Sequence, residues 1–205
     1  MDFGIPRSQM LELLADAMEV PEGRRTALLG RFQHLQRLSL IDGINPGRGK
    51  AAEYRANQVL IIAVAFEMLQ IGLTPERAVR VIKHNEDELH CAIWTAVKEE
   101  GEISPSIIWF DPLALNGEEV AFNDDYTTFS CGDRETAVKH FEWLVTKSRV
   151  ERNAVISISG TLWHIAAAFE GHRSHKESPI IGPRTRQFLE SLRRWCLDSS
   201  SGAFE

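Results

Sequence analysis

Residues 57–70, NQVLIIAVAFEMLQ, constrain this chain more than any other stretch. Apolar side chains follow one another from Val59 to Phe66, the longest such run in 205 residues. Eight residues are far too few to cross a bilayer, which takes about 20. The stretch reads instead as a long apolar helix ended by Gly72, with Phe66, Met68 and Leu69 in the core. With 43% hydrophobic and 25% charged residues, the chain can bury such a core. Its length suggests one domain of ordinary size plus a second small one.

On either side, breakers divide the chain into short amphipathic pieces. Residues 8–18 predict a helix capped by Ser8, with an apolar stripe from Met10 to Met18. The segment EVPEG (19–23) ends it. A second helix is expected from about Arg24 to Leu38, burying Leu28, Leu29, Phe32, Leu35 and Leu38. Two short helices joined by a tight break are the helix-turn-helix arrangement. Further on, Thr74 as cap, Pro75 at the first helical position and Glu76 in the first turn predict another helix. Residues 84–102 are expected to be helical as well. The texture changes near Gly101. Residues 105–112, 118–124, 127–133 and 153–159 are β-prone runs, interspersed with helices expected at 134–148 and 161–171. A linker (172–183) and an amphipathic helix from Arg184 to Leu197 follow. The expected boundary lies near residue 102.

Charge is distributed unevenly. The net charge is −6, yet Arg24, Arg25, Arg31, Arg37, Arg48, Lys50 and Arg55 face only Asp42 and Glu53 within residues 24–55. That segment carries +5 and the remainder −11, the pattern of a basic face on an acidic protein. The stretch GINPGRGKAAEYR (43–55) first suggests a nucleotide phosphate loop. Five residues rather than four separate Gly43 from Gly49, Ala51 replaces the hydroxyl that would hold magnesium, and Pro46 removes an N–H. The spacing fits a basic β-hairpin better, with Leu40-Ile41 pairing Glu53-Tyr54-Arg55 and glycines allowing close approach to a duplex backbone.

These segments together resemble a known family. LGRFQHLQRLSLI, the GINPGRGKAAEYR turn and NQVLIIAVAFEMLQIGLTPERAVRVIK are similar, in order and spacing, to the DNA-binding domain of MerR-type (MerR-like) transcriptional regulators. The family's landmarks fall on Arg37-Leu38-Ser39-Leu40-Ile41, Tyr54-Arg55 and Ile71-Gly72-Leu73-Thr74-Pro75-Glu76, and the likeness covers roughly residues 8–83. It implies a winged helix-turn-helix and duplex DNA binding. Arg24, Arg25, Arg31 and Arg37 are then candidate groove or backbone contacts, Arg48 and Lys50 wing-tip phosphate contacts. Tyr54 and Arg55 close the wing and are the remaining candidate DNA contacts, Tyr54 also packing on Phe32 and Arg55 meeting a phosphate or an acidic neighbour. No long heptad helix follows residue 83, so residues 103–171 are expected to supply the dimer contact or a ligand site instead.

Chemistry elsewhere is weaker. His84, His90 and Cys91 are the nearest approach to a metal cluster, but histidines six apart fall on different helix faces. Ser157 to Thr161 lacks the framing of a nucleophile elbow. Cys91, Cys131 and Cys196 are odd in number and far apart, which points to reduced thiols in a cytoplasm. Met1 is followed by Asp2 and Pro6, with no basic-then-apolar leader expected.

The expectation is a mainly α winged helix-turn-helix module over residues 1–102, a small α+β module over 103–171, and a linker with a C-terminal helix over 172–205. Its partners would be double-stranded DNA and a second copy, with no membrane, metal or cofactor, and its mechanism binding rather than catalysis. The alternative is a protein-interaction adaptor that uses its acidic C-terminal half as the partner surface.

Overall fold

The structure is a computed structural model that describes residues 3–42, 52–112, 129–146, 153–171 and 181–200. Among these residues the chain is mainly helical, with eight α-helices and two small antiparallel sheets.

The apolar run forms α3 (Ala56–Gln70), and Val59, Leu60, Ala63, Val64, Ala65 and Met68 on it are completely buried. A helix buried on nearly every side needs neighbours all around it. They are α4 (Pro75–His84), α7 (Ile158–Phe169) and α8 (Pro183–Ser200). The predicted start of α4 forms as expected, the Thr74 hydroxyl accepting the Arg77 backbone N–H at 3.3 Å. The helix at the chain's start, α1 (Arg7–Ala17), begins one residue earlier than expected. Extended Pro6 occupies its cap, so the Ser8 cap is not used. At its other end Glu19 turns left-handed (φ +50), and the Val20 N–H reaches back to the Ala15 carbonyl at 2.8 Å.

The first sheet corrects the hairpin expectation. Strand β1 (Gly4–Pro6) pairs antiparallel with β2 (Glu53–Arg55), setting Ile5 opposite Tyr54. Leu40-Ile41 is not the partner of β2. It closes α2 (Arg25–Arg37): Ser39 adopts φ +57, and the Leu40 N–H donates to the Leu35 carbonyl at 3.1 Å. Such a left-handed turn satisfies the last helical carbonyls and tucks Leu40 into the core. Residues 43–51, with the expected wing tip, lie outside the described residues.

Beyond α5 (Glu86–Val97), β3 (Ile107–Phe110) sits between β4 (Ser130–Gly132) and β5 (Ala154–Ser157), antiparallel to both. The strand expected over 118–124 lies outside the described residues. Helix α6 (Arg134–Thr146) follows β4. From β5 the chain passes straight into α7, whose first turn includes Gly160, and the Ser157 hydroxyl caps it by accepting the Gly160 N–H at 2.9 Å.

The core does not stop at residue 102. Phe3, Phe169 and Phe188 meet ring to ring, with centroids 5.1–5.7 Å apart. The buried Ser106 hydroxyl, just before β3, donates to the Ala92 carbonyl of α5 at 2.7 Å. Buried apolar side chains from Phe3 to Cys196 form one continuous cluster.

Candidate nucleic-acid interface

Helix α2 has three buried anchors, Leu28, Phe32 and Leu35, which recur at helical spacing and hold one side against the core. The opposite side is open. Thr26, Gly30, Gln33 and Arg37 recur at i, i+4, i+7 and i+11, so they share one face, and all four are exposed. A Cβ placed on Gly30 would meet no atom within 4 Å. Two small side chains and two long polar ones therefore stand on a helix with no acidic residue.

Two ties set the orientation of this helix. At its start the Arg25 guanidinium bonds Asp16 of α1 at 3.0 Å. Near its end His34 Nε2 lies 2.9 Å from a carboxylate oxygen of Glu76 in the first turn of α4. The Glu76 carboxyl is held below its ordinary range, chiefly by its own backbone N–H, with Thr74 and His34 adding to the effect. Exposed pairs of this kind contribute little stability. Their effect is geometric, because they connect both ends of α2 to neighbouring helices.

The expected contacts separate into groups. Arg37 lies on the open face of α2, whereas exposed Arg31 borders the buried side, next to Leu28 and Leu35 in helical order. Arg24 is exposed on the single 3-10 turn, Glu22–Arg24, that precedes α2. Arg25 lies on the core side and is engaged by Asp16. Arg48 and Lys50 fall outside the described residues. Arg55 is exposed, and its backbone N–H donates to Gln58 Oε1 at 2.9 Å in the first turn of α3.

Tyr54 packs on Phe32 as expected, but with only 1% of it exposed its side chain is not open to a DNA contact. Its ring packs edge-on against Phe32 at 6.0 Å, and its hydroxyl accepts from Gln36 Nε2 at 2.9 Å. Arg7 joins that assembly, its guanidinium 5.3 Å from the Phe32 ring centre. The residues that counting charges overlooked are Thr26 and Gly30. Their signal was the polar period complementary to the apolar stripe.

The remaining candidates stay apart from this face. His90 packs edge-on against Trp195 at 4.9 Å, beside exposed Cys91. Burial pushes the Cys131 thiol up to about 12, reinforced by its interaction with Cys91, and burial does the same to Cys196. Both stay protonated near neutral pH, and the thiolate is the reactive form. Iodoacetamide is therefore expected to modify Cys91 alone in the folded chain and all three cysteines after denaturation. Adducts counted by mass spectrometry check this, and early labelling of Cys196 would contradict it. No described helix is long and apolar enough to cross a membrane.

The chain matches no protein-family model, no curated protein and no solved structure.

Proposed function

We propose that this chain is a sequence-specific regulator that binds double-stranded DNA as a dimer and presents α2 to the major groove of a winged helix-turn-helix. One observation carries the reading: the open face of α2, where Thr26, Gly30, Gln33 and Arg37 project together from a helix without an acidic residue. Small residues let a helix approach base edges closely. Glutamine can bond adenine through two groups, and arginine can bond guanine the same way or a phosphate. Arg24, just before the helix, and Arg31, on the border of its buried side, are both exposed and serve as backbone contacts. The basic sequence through Arg55 continues the positive charge, and the acidic remainder of the chain disfavours binding elsewhere.

Binding to labelled duplex pools, followed by fluorescence anisotropy across a salt series, tests the reading. Gln33→Ala and Arg37→Ala are each expected to weaken the preferred site by about 1–3 kcal/mol if they read bases. Arg31→Ala is expected to weaken all duplexes alike and reduce the salt slope by about one contact. Arg25→Ala should change affinity least, because its side chain is engaged by Asp16. Absent or salt-insensitive duplex binding would overturn the proposal.

A further inference from the structure

Six large apolar side chains stand exposed among the described residues, and three of them, Val138, Trp143 and Val145, belong to α6. Val138 and Val145 are seven residues apart and share one face of the helix. Val145 is 81% exposed, so none of the described residues covers it. Trp143 leaves from another side, near His140. Arg134 and Glu142 flank Val138 four residues before and after it, both exposed. Lys139 is engaged within the helix by Glu135 at 2.7 Å, whereas Arg134 and Glu142 form no ion pair among the described residues. A cleft of about 690 Å³ opens alongside, between this face and Lys98, Glu99 and Pro105.

We propose that α6 is the contact between two copies of this chain, paired antiparallel about a two-fold axis at Val138. The order Arg134–Val138–Glu142 is self-complementary under that operation. Val138 meets its own counterpart, and Arg134 of each copy comes level with Glu142 of the other. A parallel pairing would instead oppose arginine to arginine and glutamate to glutamate, so the charges select the antiparallel arrangement. Closed two-fold symmetry uses the same patch on both copies, which is what one helix face with mirrored charges provides. The cleft beside α6 accommodates side chains from the second copy and extends the contact beyond the helix. A helix this short buries less than the ~1,200 Å² of a standard interface, so the pairing is weak and reversible. The inference rests on the dimeric part of the functional reading and names the surface responsible.

Sedimentation equilibrium of the full chain tests it through charge exchange. Arg134→Glu and Glu142→Arg are each expected to weaken self-association about tenfold or more, since each opposes like charges twice per dimer. The double variant restores opposite charges and is expected to recover most of the wild-type affinity. Single variants that associate like wild type, a double variant that fails to recover, or a wild-type chain monomeric at every concentration would each overturn the proposal. Affinity for a duplex with a single half-site, measured on the same variants, should not change. Loss of duplex binding by every variant, wild type included, with the association pattern intact, would overturn the DNA reading and leave the α6 contact standing.

Discussion

Phe188→Ala is expected to destabilise the chain by about 3–5 kcal/mol, a large part of the ~5–15 kcal/mol by which a domain is usually stable. Phe188 on α8 is 1% exposed and touches two other rings, Phe3 at 5.1 Å in an edge-on geometry and Phe169 at 5.4 Å. Truncation removes the buried ring, leaves a cavity and discards contacts each worth about 0.5–1.5 kcal/mol beyond burial. Phe3 precedes β1, Phe169 ends α7 and Phe188 lies on α8, so the loss falls on elements from both ends of the chain. Unfolding in urea is therefore expected to shift as one transition, coincident by far-UV circular dichroism and tryptophan fluorescence. All five tryptophans lie after residue 93, so an N-terminal part melting on its own would separate the two signals.

Tyr54→Ala should have a comparable effect, about 3–5 kcal/mol by the same cavity argument. Tyr54→Phe separates the ring from its hydroxyl. It keeps the packing on Phe32 but removes the acceptor for Gln36 Nε2, at an expected cost of about 1 kcal/mol. Because Phe32 and Gln36 both belong to α2, either change should loosen the helix proposed to read DNA and lower duplex affinity. Tyr54 also has a pH signature. Burial pushes its phenol above the ordinary value, with Arg7 partly opposing. An acid whose folded pKa is raised contributes stability that is fully present below the unfolded pKa, about 10 for tyrosine, and lost as pH rises through the folded value. The unfolded chain releases its proton first, so alkali favours unfolding. Thermal melts across that range are expected to fall more steeply for wild type than for Tyr54→Phe, and parallel curves would contradict the assignment.

Much of the helical layout was legible in the sequence because its determinants are local. Thr74-Pro75-Glu76 specifies the start of α4 within one turn of chain, and the apolar spacing of Leu28, Phe32 and Leu35 identifies the inner side of α2. The fully apolar run at Val59–Phe66 predicts a central helix, because that much apolar surface must be withdrawn from water. The basic charge between Arg24 and Arg55 was equally plain. Its direction was not, since composition cannot say which way a side chain points. Only packing engages Arg25 with Asp16, leaves Arg37 on the open face beside Gln33, and gives the Tyr54 hydroxyl to Gln36.

Partnership between distant segments was decided by tertiary structure alone. Backbone hydrogen bonds carry no residue identity, so Glu53–Arg55 pairs as readily on paper with Leu40-Ile41 as with Gly4–Pro6. The left-handed turn at Ser39 and the burial of Leu40 remove the first choice. Likewise, the change of texture near Gly101 suggested a boundary, yet Phe3 and Phe188 lie in contact across nearly the whole chain. By itself the sequence determined which segments form helices and which of their faces are apolar, through short-range propensity and period. Which apolar face meets which, and hence which polar face is left open for a partner, depended on contacts between residues too far apart along the chain for any local pattern to record.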